Sequence, residues 1–488
     1  MKNSRLKLYF DKATWILWLA LVAALPVTSM PLVARLIHSS AVAPASLIFL
    51  GLLFVFWLPI YIWKKGTFPG ISSIVLVFLF IGLCSSAISL FRDIPVYKDE
   101  TVLSNIVSGL VTLVIGVLFY LISSVLPNSL EKIKSTLRMI NISGCVMLAW
   151  TLVVYIIDQY LTPNIDVPDY LRVIQHLFST TTFFGDRFVG LTSEPSWFAH
   201  VLNVVYLPYW AAATFGNYSA HQKKIWKISF ENILLIVGAF CLFNTLSRVG
   251  LAAFLLVLGY YFLRFNGWLI RQIRTKWNSK ANQKLITVVI ILIFIVVYLA
   301  LAFGCVYALS KIDPRMQSVF SLDVIREGGL VKYADLLKFG ERLTYWQAGW
   351  QIFNDHPLLG VGVGNAGFYF PSSLPTAAWN LSEVRGLLYR SSSLMNIKSM
   401  WVRIPAEMGI IGFSTFLVIL VVSAMMAYCL TKSRSKMIKA VGSMGIGMLL
   451  AFLLEGFSVD SFALPYLWFT LGIIAASWRW GKSTNIEE

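Results

Sequence analysis

The sequence predicts an all-α polytopic membrane protein with about 12 transmembrane helices and a large extracytoplasmic loop, between helices 9 and 10, that contains short helices. Three observations predict it. Hydrophobic residues make up 58% of the 488 and charged residues only 13%, where a soluble domain carries roughly 25% charged. Apolar runs on the order of 20 residues, long enough for a bilayer core, recur from end to end. The charges, finally, separate by side once the loops are counted alternately.

The spans are read in order as 13–30, 42–63, 71–91, 102–126, 137–160 and 197–215, then 232–246, 249–265, 285–309, 400–430, 438–454 and 462–478. The first follows a basic stretch and resembles a signal peptide in that respect, but its apolar run is long and eleven more follow, so it is read as an uncleaved helix. Placing Lys2, Arg5, Lys7 and Lys12 in the cytoplasm puts 24 of the 40 basic residues on the inner side with only 5 of the 23 acidic ones. Lys64/Lys65, Lys132/Lys134, Lys223/Lys224/Lys227 and the basic stretches 264–284 and 432–439 then read as topology anchors. Both termini are expected in the cytoplasm of a bacterial inner membrane. The net charge of +17 is thereby explained without a nucleic-acid partner. Cys84, Cys145, Cys241, Cys305 and Cys429 fall inside spans without CxxC spacing and read as packing residues.

A single membrane domain, 1–488, accounts for the chain. Two connections are long, 161–195 and 310–399, and both are extracytoplasmic in this topology. Chemistry is expected there, because loops far above ordinary connection lengths are usually functional or disordered. The second contains GERLTYWQAGWQIFNDHPLLGVGVG, read as an extramembrane helix over 341–354 followed by a Pro- and Gly-rich turn. At 100° per residue Trp346, Gly349, Trp350 and Phe353 share a face with Arg342, and Thr344, Gln347, Gln351 and Asp355 lie opposite.

Nucleotide and metal motifs are absent. There is no GxxxxGK[ST], and Gly360, Gly362 and Gly364 follow a helix, as a turn or a phosphate nest, instead of opening one after a strand. The five histidines are scattered, with no HExxH, so neither metal nor cofactor is expected. His356 suits a helix C-terminal cap. The outer helix starts carry more information. GDRFVGLTSEPSWFAH sets Arg187 before a helix with Ser193 as cap and Glu194 and Pro195 in its first turn. FNTLSRVG puts Ser247 and Arg248 at a second start, and KSMWVRIPAEMG puts Lys398, Arg403 and Glu407 at a third. These helices run from outside to inside, so their positive dipole ends face outward, where an anion would be favoured. Snorkelling interface residues are the alternative. Glu194 also fits as a first-turn acid, and Glu407 as an i, i+4 partner of Arg403. Trp197, Trp346, Trp350, Trp379 and Trp401 suit either sugar stacking or an interfacial belt.

These residues resemble the bacterial O-antigen polymerase and O-antigen ligase superfamily. The resemblance rests on R…G…EPS at Arg187, Gly190 and 194–196, on Ser247 and Arg248, on R…W…HPLLGVGVG from Arg342 to Gly364, and on AEMGIIGF at 406–413. It implies a metal-independent glycosyltransferase that uses a polyprenyl-pyrophosphate-linked glycan at the outer face of the inner membrane. Its partners would be that donor, a growing polysaccharide acceptor, membrane lipids, and chain-length regulator and flippase proteins. Arg342, Arg248, Arg187 and Glu194 would be catalytic, and Lys398, Arg403, Glu407, His356 and Trp346 would bind substrate. Ligases of the family resemble HN…E…G ahead of the corresponding span, whereas Lys398 and Ser399 stand at the His-Asn positions here. This favours a polymerase of repeat units over a ligase. The rival from another class is a flippase of lipid-linked oligosaccharides, against which the long outer loop argues, since transporter sites lie near the midplane.

Overall fold

Runs of Leu, Ile, Val and Phe leave the backbone no hydrogen-bond partner in lipid but itself, and the chain meets this demand with helices. The computed structural model describes residues 2–37, 42–161, 168–181, 183, 187–221, 224–226, 228–276, 280–312, 321, 323–324, 326, 333, 336 and 339–484. Most of 313–338, and with it the first part of the long loop expected at 310–399, lies outside the described residues.

The helices follow in order as α1 (Lys2–Ala23), α2 (Pro31–Ile37), α3 (Ser46–Trp63), α4 (Ile71–Ser89), α5 (Val102–Val125), α6 (Leu130–Ile156) and α7 (Asp169–Phe178). Three consecutive segments, Pro195–Val201, Leu202–Tyr206 and Leu207–Phe215, make up α8. Then come a two-stranded hairpin, β1 (Lys224–Ile225) with β2 (Ile228–Ser229), α9 (Phe230–Asn244), α10 (Arg248–Lys276) and α11 (Lys280–Ile312). The last six are α12 (Gly340–Asp355), α13 (Ala366–Ser373), α14 (Ser382–Tyr389), α15 (Met400–Leu430), α16 (Lys436–Glu455) and α17 (Pro465–Thr484).

Each expected span falls on one of these helices, and among the described residues seven stretches are long and apolar enough to cross a membrane by length and composition. The starts are chemically marked. Thr101 and Ser129 accept the Ser104 and Lys132 amides at the beginnings of α5 and α6. Among the described residues three π turns appear that the sequence reading did not anticipate, Leu53–Trp57 in α3, Ile157–Leu161 at the end of α6 and Leu202–Tyr206 in α8. The first and last lie just before a proline, Pro59 and Pro208. A proline ring clashes with the carbonyl four residues back, and one wider turn makes room for it.

The bundle's centre is aromatic: Trp18, Trp210, Trp468, Tyr206, Tyr209 and Tyr466 are buried. α17 packs on α5, and α15 packs on both α4 and α16. Phe54, Val55 and Phe56 on α3 and Leu292, Ile293, Val296 and Leu299 on α11 point outward as exposed apolar groups, the surface a bilayer would cover. A second, smaller core lies at one end, where Tyr345, Ala348 and Ile352 of α12 pack with Phe370, Val384, Leu388 and Met395. The face of α12 differs from the expected one. Thr344 and Tyr345 are buried, whereas Trp350 is 53% exposed, because α12 packs against α13 and α15 through its small and branched residues.

α15 is bent. Pro405 removes an amide and Gly409 leaves the helical region at φ 63°. The freed groups are taken up by the glycine-rich segment after α12. Val361 and Gly362 donate to the carbonyls of Ala406 and Glu407, and the Ile410 amide donates to the Pro357 carbonyl, all within 3.0 Å. Ser85 of α4 donates to the Leu359 and Glu407 carbonyls, and Ser86 accepts the Val363 amide. The expected turn at Gly360, Gly362 and Gly364 is therefore present, with positive φ at all three, and it is wedged between α4, α5 and the bend of α15.

Candidate functional site

The turn that joins α16 to α17 gathers Arg342, Trp346, Lys398 and Arg403 of the residues picked out from the sequence. Its carbonyls and side chains accept from two guanidinium groups and from the Lys398 backbone amide. Arg342 of α12 donates to the Ser458 hydroxyl at 3.2 Å and to the Phe457 carbonyl at 3.5 Å. The Lys398 amide donates to the Asp460 carboxylate at 3.0 Å, and the Arg403 guanidinium donates to the Asp460 carbonyl at 2.7 Å. The start of α15 is tied to the same turn, with the Met400 amide donating to the carbonyls of Gly456 and Val459. Trp346 packs against Phe339 and Phe457, ring centroids 5.2 and 5.1 Å away.

Below the turn, Glu455 at the end of α16 is 1% exposed. It accepts from the Asn203 amide at 2.7 Å and lies 3.3 Å from Nδ1 of buried His200, both on α8. Asn203 also donates to the Gly250 carbonyl in α10. This polar cluster fixes the starts of α8 and α10 to the turn. Reading the sequence missed His200, Asn203 and Glu455, although an ionisable residue ending an apolar run was a usable signal.

Arg403 and Glu407 form an ion pair at 2.9 Å with both side chains largely buried, the i, i+4 contact expected from their spacing. Arg403 also stacks over Phe462 at 5.0 Å. The pair lines a cavity of about 200 Å³ together with Asn105, Ser108 and Thr112 of α5, Gly364, and Asn396. Lys398 is engaged differently. Its ammonium bonds Glu383 at 2.6 Å and lies 4.9 Å from the centre of the Tyr345 ring. Burial pushes the Glu383 carboxyl up, but the Lys398 hydrogen bond and charge, the Tyr345 hydroxyl and Arg342 outweigh it and hold the group below its ordinary range. Neither Glu383 nor Asp460 stood out in the sequence.

His356 occupies the C-cap of α12, as its place before Pro357 suggests, 5.4 Å from the Tyr369 ring. Burial and the nearby Arg92 charge depress its pKa. Arg187 and Arg248 flank the hairpin between α9 and α10. The Arg187 guanidinium donates to the Thr245 carbonyl at 2.9 Å, and Arg248 opens α10, where the Ser247 hydroxyl accepts the Gly250 amide. Glu194 is exposed and accepts from the Ser196 hydroxyl. The N-cap of α8 is Glu194 itself, with Pro195 at the first helical position. Ser193, expected to cap, instead donates its amide to the Thr28 hydroxyl. Among the described residues no three His, Cys, Asp or Glu side chains are grouped to hold a metal.

The arrangement offers an end of the bundle where the guanidinium groups of Arg342 and Arg403 bond a fixed turn beside a polar cavity. No curated protein matches the chain. Residues 233–417 match the model of the family described as O-Antigen ligase, a stretch running from α9 through the bend of α15 and holding Arg248, Arg342, Trp346, His356, Lys398, Arg403 and Glu407. Members of that family are glycan-transferring enzymes, ligases and polymerases. Over those residues this membrane protein is similar to that family, which supports the resemblance to the O-antigen polymerase and O-antigen ligase superfamily.

Proposed function

We propose that the chain is a glycan polymerase that joins polyprenyl-pyrophosphate-linked oligosaccharide repeat units at the outer face of the bacterial inner membrane. The observation that carries the reading is the convergence of Arg342, Lys398 and Arg403 on the 455–460 turn, beside the cavity lined by Arg403 and Glu407. The donor is already activated. As the sugar–phosphate bond breaks, the bonding electrons pass to the pyrophosphate, while the acceptor hydroxyl bonds to the sugar carbon and gives up its proton to a carboxylate. The growing negative charge then needs fixed donors more than it needs a metal, and guanidinium groups supply them in pairs. Arg342, Arg248 and Arg187 are assigned to this task, with Lys398, His356 and Trp346 lining the substrate's path. Glu194 is assigned as the proton acceptor and Glu407 is the alternative. Exposure leaves Glu194 open to an acceptor, whereas Glu407 faces the cavity but is paired with Arg403.

Arg342 is the sharpest test. Its two contacts on the turn leave donors of its planar fork for an anion. Arg342→Ala is expected to leave the protein folded and inserted while elongation falls by about 10² to 10³, and Arg342→Lys to restore part of it. In a purified assay with lipid-linked repeat units, normal elongation by Arg342→Ala would reduce this arginine to a structural tie. Wild-type turnover by Glu194→Gln would transfer the proton-accepting role to Glu407.

The second reading is a ligase, the description borne by the matching family; Lys398 and Ser399 in place of the His-Asn pair favour the polymerase. The surface-glycan profile of a deletion strain separates them. Single repeats still attached indicate a polymerase, no attached glycan a ligase, and repeat-bearing lipid trapped on the cytoplasmic leaflet a flippase. The companion chain-length regulator and flippase proteins belong to the same reading.

A further inference from the structure

A second cavity, of about 320 Å³, opens at the surface between Lys98, Asp99 and Glu100 on one side and Leu388, Tyr389, Ser391 and Ser392 on the other. It adjoins the cavity that holds Arg403 and Glu407. The Asn105 amide, on the wall of the inner cavity, donates to the Glu100 carboxylate on the wall of the outer one, at 3.3 Å. The opposite wall is also continuous in the chain, since Leu388 to Ser392 line the outer cavity and Leu394 to Ile397 the inner one. The two cavities thus lie side by side along the same two segments, 98–112 and 388–397, and are read as one groove from the ion pair to the surface.

The walls are pinned to each other by two side chains that reach across, Tyr97 and Lys98. Lys98 donates to the Leu387 and Ser393 carbonyls, and the Tyr97 hydroxyl donates to the Leu388 carbonyl at 2.9 Å. A groove set in advance binds at lower entropic cost. Its polar lining is hydroxyl, amide and carboxylate groups, from Ser108, Thr112, Asn396, Ser391, Ser392, Asp99 and Glu100, with Lys98 and Arg403. Its apolar lining includes Leu388, Leu394, Met395 and Ile397. One exposed aromatic ring, Tyr389, stands at the outer end, 6.3 Å from Trp379. Carboxylates and amides suit vicinal hydroxyls, and an aromatic face suits the C–H face of a pyranose ring. A phosphate at the outer end would meet two carboxylates and Lys98, whose ammonium already donates to two carbonyls.

Building on the transferase reading, we propose that this groove is the glycan-chain subsite. It binds the hydroxyl-rich sugars of the oligosaccharide that lie away from the reacting bond, with Tyr389 as the stacking platform and Asp99 and Glu100 as hydroxyl acceptors. The sugar at the reacting bond lies at the Arg403 and Glu407 end.

The test uses the full chain in lipid nanodiscs. The probe is oligosaccharide released by mild acid from the producing strain's own surface polysaccharide, with binding read by saturation-transfer NMR. Tyr389→Ala, at a side chain 71% exposed, removes the platform without disturbing a core. It is expected to weaken binding about three- to tenfold, as is the isosteric double variant Asp99→Asn, Glu100→Gln. Binding of sugar-free polyprenyl pyrophosphate should not change in either. The proposal is overturned if the wild type does not bind the oligosaccharide, or if both variants bind it as tightly as the wild type. Failure of the transferase reading looks different: the wild type would not elongate lipid-linked repeats, while the groove variants would still weaken oligosaccharide binding.

Discussion

At the scale of single residues, two positions show how backbone and buried charge are handled around the site. Gly409 has φ 63°, and a Cβ there would lie 2.1 Å from the Leu358 carbonyl oxygen and 2.4 Å from the Leu359 nitrogen. Both neighbours are backbone, so neither can swing away. Gly409→Ala should lower thermal stability by about 1–3 kcal/mol from the dihedral alone, with the clash added, and an unaltered melting temperature would refute this account of the bend. Glu455 is the second case. Its carboxylate is the partner of the buried Asn203 amide and lies beside His200. Glu455→Leu leaves the buried Asn203 amide and His200 ring without that acceptor and should cost about 1–3 kcal/mol. Glu455→Gln keeps an acceptor for Asn203 and should cost much less. Equal melting temperatures for the two variants would mean that the cluster contributes little.

The elements have different jobs. α4, α5, α15, α16 and α17 supply a rigid frame, and the short helices α12, α13 and α14 form a separate small core over one end of it. That core is joined to the start of α15 by Lys398, Glu383 and Tyr345. Because Glu383 has a carboxyl pKa below its unfolded value, its stabilising contribution is present above the unfolded pKa, about 4.3. It is lost as pH falls through the lower, folded value. Hydrogen-exchange protection over 340–397, referred to the intrinsic exchange rate at each pH, should therefore be unaltered from neutrality to about pH 5 and fall below about pH 4. In Glu383→Gln this acid-dependent step should disappear. If the variant retains the wild-type pH profile, other carboxylates hold the small core in place.

The whole molecule was legible where a single run of residues carries the physics. A stretch such as 400–430 predicts a helix because lipid demands one, and α15 covers those residues. The helix starts were legible for the same local reason, Pro195 and Arg248 among them. The site was legible only in part. Arg342 and Ser458 are 116 residues apart and His200 and Glu455 are 255 apart, and no local pattern announces such pairings. The exposed Trp350 misled for a related reason: periodicity finds an aromatic face, but the neighbours of α12 decide which face is buried. One whole-molecule property rests on charge alone, the orientation in the membrane. Both termini are expected inside and the α12–α14 core outside, since the anchors Lys432, between α15 and α16, and Lys436, at the start of α16, lie at the far ends of those helices from Lys398. Cysteine labelling reads this directly, provided the reporter is accessible. Asn365 is unsuitable because it is buried, whereas Ser392 and Lys432 lie in turns outside the helices. With the four described free cysteines, Cys84, Cys145, Cys241 and Cys429, and Cys305 replaced, Ser392→Cys should react with a membrane-impermeant maleimide in intact spheroplasts. Lys432→Cys should react only after permeabilisation. The reverse pattern would place the groove and the arginine cluster in the cytoplasm, away from a donor presented on the outer leaflet, and the transferase reading would fail with it.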